Sequence, residues 1–133
     1  MELKVGVKIL LRNKEGKYLF ILRSVIKYPT AGAKWDIPGG RINPGSTLME
    51  NLKREVGEET SLSIVGEPKL LGAQDIFGND YHTVRLTYIG EAGGVEVMLS
   101  DEHTEYKWSD LNEIESLDPM DKYLKEIIKD IKL

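Results

Sequence analysis

The sequence predicts an α+β fold in which strands and helices are arranged as an α-β-α sandwich. The observation behind this class is the order of the elements: strand patterns come first, and a helical segment, further strands and a last helix follow. The chain has 133 residues and shows neither an internal repeat nor a linker, so residues 1–133 are predicted to form one domain.

The first elements are predicted to be two strands joined as a hairpin. In residues 3–11 apolar side chains alternate with other residues, and this period of two predicts a strand with its odd-numbered positions buried. Residues 13–17 have the composition of a turn, and residues 18–23 are predicted to form the second strand. Residues 24–34 and 39–45 contain glycine and proline with little periodicity, which indicates irregular segments.

A helix is predicted to begin after Thr47. With Thr47 as its N-cap, Glu50 falls at the third helical position and completes a capping box. The apolar stripe that would face the core consists of Leu48, Met49, Leu52 and Val56. Ser61 stands where glycine is the favoured left-handed C-cap, so we expect the helix end to be less well terminated.

The second half of the chain is predicted to return to strands and to end in a helix. Strands are expected at residues 69–77, 83–90, 95–98 and 105–108. Ser109 is predicted to cap a short helix through Ile114. Asp118 as N-cap and Pro119 in the first turn are predicted to start the last helix. The residues expected on its buried face are Met120, Leu124, Ile127, Ile128 and Ile131.

Composition argues against several classes of protein. The chain has no cysteine, so neither a disulfide framework nor a thiolate zinc site is available. No apolar run approaches the roughly 20 residues that span a bilayer, and the N-terminus lacks the layout of a signal peptide, so a cytoplasmic location without membrane contact is expected. The net charge is −4 and no basic block stands out, which argues against general nucleic-acid binding.

An acidic cluster follows a Gly-Gly turn, in the sequence REVGEE at residues 54–59. In a helix, Glu55, Glu58 and Glu59 project toward one side, where like charges at these spacings repel unless a cation lies between them. Clustered carboxylate oxygens suit Mg²⁺ or Mn²⁺, so the pattern indicates a metal site. The alternative is a solvated helix face whose charges form intrahelical ion pairs.

The segment resembles the signature of the Nudix (MutT-like) hydrolases, G-x5-E-x7-R-E-U-x-E-E-x-G-U, where U is a bulky aliphatic residue. The chain matches seven of the nine specified positions from Gly40 to Leu62, and the preceding WDIPGG resembles the family's lead-in. It departs at Ser46, where the family has glutamate, and at Ser61, where it has glycine. The resemblance implies a mixed sheet between helices and metal-dependent hydrolysis of the pyrophosphate bond of a nucleoside diphosphate linked to another group.

The resemblance also implies roles for the residues of the box. Glu55 and Glu59 are expected to bind Mg²⁺ or Mn²⁺, and Glu58 is a third ligand or acts through water. The backbone carbonyl of Gly39 is a further expected ligand. Arg54 matches the family arginine that orients a box carboxylate by a charge-assisted hydrogen bond.

A second acidic segment, residues 100–108, resembles the EH-x-E-Y-x-W segment that some family members use for a further metal ligand or the general base. Glu102 is the first choice for this role, because a loop position can swing toward substrate, and Glu105 is the second. His103 is a weaker choice, as a base with a pKa near neutral. The alternative is a polar loop that fixes the start of a strand.

The substrate is expected to be a small nucleotide: a nucleoside triphosphate, an oxidised nucleotide or a nucleotide sugar. The aromatic side chains proposed to stack on its base are Tyr28, Trp35, Phe77 and Tyr81. Arg23 and Lys27 are candidates for phosphate contacts, whereas His82 is expected to be structural. Family members often pair as homodimers, which makes a homodimer an expectation here.

Two alternatives to the hydrolase stay open, and the first depends on the departure at Ser46. Serine at position 46 cannot supply the charge of glutamate, and the loss of such a supporting group typically costs roughly 10- to 100-fold in metal affinity or activity. Weakened chemistry is therefore expected, and a module that senses nucleotides without turnover is the main alternative. The other is an interaction domain in which the acidic helix holds a structural cation.

Overall fold

A computed structural model describes residues 1–94 and 96–131 of the chain. This part of the chain contains more strand than helix, with one longer and one shorter α-helix. In chain order the elements are β1 (Glu2–Arg12), β2 (Tyr18–Arg23), β3 (Trp35–Asp36), β4 (Gly39–Arg41), α1 (Leu48–Thr60), β5 (Ser63–Phe77), β6 (Tyr81–Gly93), β7 (His103–Ser109), a short 3₁₀ helix (Leu111–Ser116) and α2 (Lys122–Lys129).

The strands form one mixed sheet. Its main path has the order β3-β2-β1-β6-β5, while β4 also pairs with β1 and β7 pairs with β2. β1 is parallel to β6, from Glu2 opposite Tyr81 to Arg12 opposite Glu91, and antiparallel to β2 and β4. β1 is therefore the central strand, and its residues contribute to both faces of the sheet.

Each face of the sheet has its own apolar core and is covered by one α-helix. The core beneath α1 contains Val7, Ile9, Leu11, Leu19, Ile21, Leu52, Val56, Leu62, Tyr88 and Val97. The core beneath α2 contains Leu10, Tyr18, Phe20, Ile37, Leu117, Met120, Leu124, Ile127 and Ile128. The predicted α+β sandwich, with a mixed sheet between helices, is confirmed.

Strand β1 departs in part from the predicted pattern: Val7, Ile9 and Leu11 are buried as predicted, but the even position Leu10 is buried too. Ile9 and Leu10 are adjacent and fully buried, and they belong to opposite cores. Leu3, an odd position, is 65% exposed at the start of the strand. The prediction fails here because a central strand between two helical layers loses the one-sided pattern of a half-buried strand.

Helix α1 begins as predicted. The hydroxyl of Thr47 accepts a hydrogen bond from the N–H of Glu50 at 3.0 Å, and the carboxylate of Glu50 accepts from the N–H of Thr47 at 2.9 Å. At the other end, Ser61 has φ 63° and its N–H donates to the carbonyl of Gly57 at 3.0 Å. The serine thus adopts the left-handed conformation that glycine would adopt at lower cost.

The hairpin after α1 is longer than predicted, and the short strand after it differs from the prediction. β5 and β6 pair over nearly their full lengths, which extends both strands. Residues 96–98 form no strand, while Val95 lies outside the described residues. The N–H groups of Met98 and Ser100 instead donate to the carbonyls of Thr60 and Glu59 at the end of α1.

Helix α2 starts later than predicted. Its N-cap is Asp121, whose Oδ1 accepts from the N–H groups of Tyr123 at 3.0 Å and Leu124 at 2.9 Å. The predicted start at Asp118 and Pro119 is wrong, because the carbonyl of Pro119 accepts from Trp35 at 2.8 Å and ties this segment to β3.

The 3₁₀ helix also differs at its start, since Asp110 rather than Ser109 is its N-cap. The predicted apolar face of α2 is confirmed for Leu124, Ile127 and Ile128, all buried. Neither α-helix in the described part of the chain has the length and apolar character needed to cross a lipid bilayer.

Candidate active site

A cavity of about 600 Å³ lies where the end of α1, strand β4 and the parallel strands β1 and β6 meet. The acidic side chains that line it are Glu55, Glu59 and Glu102. The basic side chains that line it are Lys4, Lys8, Arg23, Arg41 and Arg85. The cavity therefore brings the predicted box helix together with two strands from opposite ends of the chain.

Gly39 and Gly40, the Gly-Gly turn of the sequence analysis, are the first two residues of strand β4 rather than part of an irregular segment, and they place two carboxylates against the backbone. The N–H of Gly39 donates to Oε1 of Glu59 at 2.8 Å. Gly39 has φ 147°, and a Cβ there would lie 2.0 Å from the carbonyl oxygen of Val7 in β1, so only glycine fits. A Cβ on Gly40 would lie 2.8 Å from Cδ of Glu55. The missing side chain at Gly40 thus makes room for the Glu55 carboxylate, and the missing side chain at Gly39 lets β4 lie close against β1.

Glu59 is a buried carboxylate in a region of negative charge. Its residue is 4% exposed, and burial is the main cause that raises its pKa to about 8. Glu55 and Glu102 raise it further, while Lys8 and the Gly39 N–H act in the opposite direction. Burial also raises the pKa of Glu55, which Arg54 opposes. A cation bound here would favour the charged form of both carboxylates.

The residues around Glu59 fit a divalent cation. One donor atom from each of Glu59, Glu102 and His103 lies within 4.8 Å of the others. Nδ1 of His103 is buried without a hydrogen-bond partner among the described residues, and it lies 3.6 Å from Oε2 of Glu59. An unpaired buried nitrogen beside a buried carboxylate is satisfied when both face a metal ion.

His103 differs from its sequence prediction in one respect. Burial, with a smaller contribution from Lys8, lowers the pKa of His103 to about 4 rather than leaving it near neutral. The imidazole is therefore neutral at pH 7 and is too weak a base for the predicted role at that pH. A neutral imidazole is the form that binds metal ions.

Arg54 lies beside the carboxylates that it was predicted to orient. Its Nη1 is 3.0 Å from Oε1 of Glu55 and 3.5 Å from Oε2 of Glu58. Its Nη2 donates to Oδ1 of Asn51 at 3.1 Å, a contact that the sequence gave no reason to expect. Glu58 is 60% exposed and does not line the cavity, so its expected place as a metal ligand has no geometric support here.

The structure separates the two candidates of the second acidic segment. Glu102 lines the cavity, just before β7, and its carbonyl accepts from the N–H of Ser24 at 2.8 Å. Glu105 is exposed within β7, opposite Leu22, and does not line the cavity. The geometry thus supports Glu102 and gives no support to Glu105.

Most basic residues of the cavity were missed by the sequence analysis. Lys4, Gly6 and Lys8 occupy the even positions of β1, and the polar character of those positions was the available signal. Nζ of Lys8 donates to Oδ2 of buried Asp36 at 2.9 Å. Burial would raise the pKa of Asp36, but Lys8 and Arg85 outweigh it and hold that pKa below its usual value.

Among the candidates for substrate contacts, Tyr28 and Arg23 line the cavity. The guanidinium of Arg23 lies 5.5 Å from the ring centroid of Tyr28. Trp35 packs against the core beneath α2, and Lys27 is half exposed and lies 3.6 Å from Asp101. Tyr28 and Arg23 are therefore the two of these candidates placed to touch a ligand.

The remaining aromatic candidates lie outside the cavity lining. Phe77 is exposed and stacks on His82, with ring centroids 4.4 Å apart. Nε2 of His82 lies 2.7 Å from Oδ1 of Asp75, so His82 has structural partners, as expected. Tyr81 touches the cavity only through Lys4, whose Nζ is 4.6 Å from its ring centroid.

Comparisons with known proteins agree with this architecture. A family model described as the NUDIX domain matches residues 2–131. A MutT protein from Methanosarcina mazei Go1 has a TM-score of 0.84 and 31% identity, covering 96% of this chain and 91% of that chain. A MutT NUDIX hydrolase from Burkholderia pseudomallei has a TM-score of 0.84 over 99% of this chain and 100% of that chain; at 21% identity it shows the fold alone.

One curated relative is an ADP-ribose pyrophosphatase from Methanocaldococcus jannaschii. It is 32% identical over 107 residues, which are 79% of this chain and 61% of that protein. The chain thus spans less than two thirds of the length of this relative. Because the NUDIX domain model extends over nearly all of the chain, and the acidic box lies in the cavity of a matching fold, the chain belongs to the Nudix (MutT-like) hydrolase family.

Proposed function

We propose that this protein hydrolyses the pyrophosphate bond of a nucleoside diphosphate linked to another group, with Mg²⁺ or Mn²⁺ as cofactor. The observation that carries the proposal is the division of charge in the cavity. Glu55, Glu59 and Glu102 line it together with five basic side chains. A bound pyrophosphate needs both the acidic half and the basic half of the cavity. Its oxygens bind a cation, which the acidic side chains hold, and they also bind basic side chains.

The acidic half divides into two roles. Glu59 and Glu102, with His103, offer donor atoms within 4.8 Å of one another and would hold the cation. A cation bound there would neutralise phosphate oxygens and polarise the phosphoryl group. The carbonyl of Gly39, at the same turn, is an expected further ligand.

Glu55 is the carboxylate best placed to accept a proton from the attacking water. It lines the cavity but does not belong to the close group of cation donors. Burial raises its pKa, which makes it a stronger base than an exposed glutamate, and Arg54 at 3.0 Å fixes its direction. Of the two roles predicted for Glu102, further metal ligand or general base, its place among the cation donors supports the first.

The basic half would hold the phosphate chain. Arg85 is fixed by Asp121, with Nη1 3.1 Å from Oδ1, and so presents its guanidinium from β6 without losing much side-chain freedom on binding. Lys4 and Arg41 lie on the neighbouring strands β1 and β4. Such groups neutralise phosphate charge and place the bond to be broken next to the cation.

For the substrate, we propose a nucleoside diphosphate sugar, with ADP-ribose as the first compound to test. The name of the curated relative from M. jannaschii supports this choice. Nucleoside triphosphates and oxidised nucleotides are the other substrates to compare, and Tyr28 is the aromatic side chain placed to contact a base or sugar. A cytoplasmic location and a homodimer stay predictions of the sequence.

The test is product formation from ADP-ribose, nucleotide sugars, nucleoside triphosphates, oxidised nucleotides and dinucleoside polyphosphates. Each would be assayed with Mg²⁺, with Mn²⁺ and with EDTA. We expect metal-dependent cleavage of one class into a nucleoside monophosphate and a second phosphorylated product. Turnover that persists in EDTA would contradict the cation assignment. Nucleotide-induced stabilisation without any turnover would instead favour the sensing module.

A further inference from the structure

Asn51 is a buried polar side chain that the Nudix pattern does not specify. Its residue is 1% exposed, although it lies in the second turn of a helix whose neighbouring residues Glu50 and Lys53 are exposed. It precedes Arg54 by three positions, so the two side chains lie on the same side of α1. A fully buried amide requires partners for both of its polar atoms.

All of the hydrogen-bonding capacity of the Asn51 amide is used. Its Oδ1 accepts from the N–H of Asn43 at 2.8 Å and from Nη2 of Arg54 at 3.1 Å. Its Nδ2 donates to the carbonyls of Ser46 at 3.2 Å and Thr47 at 2.6 Å. Because a backbone N–H and a guanidinium are both donors, the oxygen must face them, which fixes the orientation of the amide.

Arg54 is held between this amide and the carboxylates of Glu55 and Glu58. One guanidinium nitrogen contacts Asn51, and the other lies 3.0 Å from Glu55 and 3.5 Å from Glu58. The planar guanidinium has its donors in a fixed geometry, so holding one nitrogen also determines where the other points. Asn51 therefore controls the direction of the Arg54 contact with Glu55.

Ser46 explains why such a support is needed. The family pattern has glutamate at this position, and the exposed serine brings no carboxylate to Arg54. The carbonyl of Ser46 lies 3.2 Å from Nδ2 of Asn51, so position 46 is adjacent to the amide that contacts Arg54. The backbone of position 46, where the family carries its carboxylate, thus contacts the same amide that contacts Arg54.

We propose that Asn51 is a positioning residue that holds Arg54 against Glu55 in place of the carboxylate that Ser46 lacks. The inference rests on the proposed function in so far as Glu55 takes part in catalysis. It predicts that Asn51→Ala weakens turnover and that Ser46→Glu restores it, because a carboxylate at position 46 offers Arg54 a second support. Ser46→Glu alone changes little, since Asn51 already occupies Arg54.

The test compares four proteins: wild type, Asn51→Ala, Ser46→Glu and the double variant. Asn51→Ala is expected to lower kcat at least 10-fold with a smaller change in KM, which is the size typical of lost support for a site residue. The double variant is expected to recover at least half of this loss on a logarithmic scale. Thr47→Ala is the matched control, because it weakens the start of α1 without a side-chain contact to Arg54.

A second arm tests whether Asn51 acts through Arg54. In the background of Arg54→Ala, Asn51→Ala should cost less than threefold, since the residue that it positions is absent. Equal losses in the two backgrounds would show that Asn51 acts only on helix stability and would overturn the inference. A loss for Thr47→Ala as large as that for Asn51→Ala would do the same.

A third arm is independent of activity. Nitrogen NMR of the Arg54 guanidinium reports how freely its Nη groups rotate. We expect slow rotation in the wild type, fast rotation in Asn51→Ala and slow rotation again in the double variant. Unchanged rotation in Asn51→Ala would overturn the inference. If no substrate is turned over by the wild type, the proposed function fails, and this arm still decides the role of Asn51.

Discussion

The backbone N–H of Gly39 donates a 2.8 Å hydrogen bond to Oε1 of Glu59, so the Gly-Gly turn and the box helix meet at a single buried carboxylate. The N–H of Gly39 is thus a hydrogen-bond donor to a carboxylate that little solvent reaches. Burial outweighs this one bond and raises the pKa of Glu59 to about 8. At pH 7 the carboxyl group of Glu59 therefore keeps most of its proton in the metal-free protein, and a bound cation would favour the charged form.

Replacement of the two carboxylates proposed to bind the cation and to act as the base should remove activity while the fold persists. Glu59→Gln and Glu55→Gln are each expected to lower kcat at least 100-fold, which corresponds to about 2.7 kcal/mol of barrier. Steady-state assays with Mg²⁺ and circular dichroism would measure the two effects. Glu105→Gln is the matched control, an exposed carboxylate outside the cavity. Near-normal activity in both cavity variants would refute the site assignment.

Stability of the metal-free protein should fall as the pH rises from about 6.5 to 8. The raised pKa of Glu59, about 8, means that the folded state keeps this proton above the pH at which the unfolded state releases it. The free energy of unfolding that this retained proton contributes is complete below the pKa of Glu59 in the unfolded state, and it is lost as the pH rises through 8. The loss is about 1.4 kcal/mol per pH unit, or about 2 kcal/mol between pH 6.5 and 8. His103 has the opposite sign, since its pKa is lowered to about 4 and its contribution is lost on acidification.

Thermal unfolding in EDTA at several pH values checks this prediction. Glu59→Gln should flatten the decline between about pH 6.5 and 8, because glutamine has no proton to lose. Saturating Mg²⁺ should raise the melting temperature more at the upper end, where the carboxylate is ready to bind a cation. An equally steep decline in Glu59→Gln would assign the effect to another group.

Two glycine-to-alanine substitutions should affect different properties: one should lower kcat, and the other should raise the free energy of unfolding. In Gly40→Ala the new Cβ would lie 2.8 Å from Cδ of Glu55, so the carboxylate must move, and kcat should fall at least 10-fold. Gly57→Ala places a methyl group in open space within α1 and should stabilise the protein by about 1 kcal/mol with activity retained. Kinetics and melting curves separate the two outcomes. A fully active Gly40→Ala would show that the position of Glu55 does not depend on the turn.

Removal of the carboxylate of Glu2 should tighten substrate binding. Oε1 of Glu2 lies 3.6 Å from Nζ of Lys4 and 3.7 Å from Nη2 of Arg41, two basic groups of the cavity. Glu2→Gln frees both for phosphate and should lower KM by up to roughly fivefold, the range of exposed ion pairs, with kcat unchanged. Because salt screens exposed charges, the difference should shrink at high ionic strength. Glu67→Gln is the control, because Glu67 is exposed on β5. A raised KM in Glu2→Gln would mean that Glu2 itself helps to bind the substrate.

Local patterns predicted much of the fold. The prediction of the first strand pair depends on period-two alternation and turn composition, and that of the start of α1 depends on the capping box. Each of these signals lies within a few residues of the element that it predicts. The start of α2 was missed because Asp118 and Asp121 are both acceptable caps locally. The tertiary bond from Trp35 to the carbonyl of Pro119 decides between them.

The candidate site, like the fold, was predicted where a local motif specifies it and missed where tertiary structure decides. The box motif correctly brought Glu55, Glu59 and Gly39 to one place, because all three belong to one short pattern. Arg85 joins them only through the parallel pairing of β1 with β6, where it lies opposite Gly6. No local signal specifies that register. Asn51 was missed for another reason, since its importance arises only once Arg54 is seen to lack a partner at position 46.

The segment before β7, which places Glu102 in the cavity, is hydrogen-bonded to the end of α1, the helix that contains Glu59. The N–H of Met98 donates to the carbonyl of Thr60 at 2.9 Å, and that of Ser100 donates to the carbonyl of Glu59 at 3.2 Å. Two main-chain bonds, which only proline at Met98 or Ser100 would remove, thus tie Glu59 and Glu102 to the last turn of α1. The spacing of Glu59 and Glu102 is therefore set by backbone contacts and does not depend on which side chains form the mouth of the cavity.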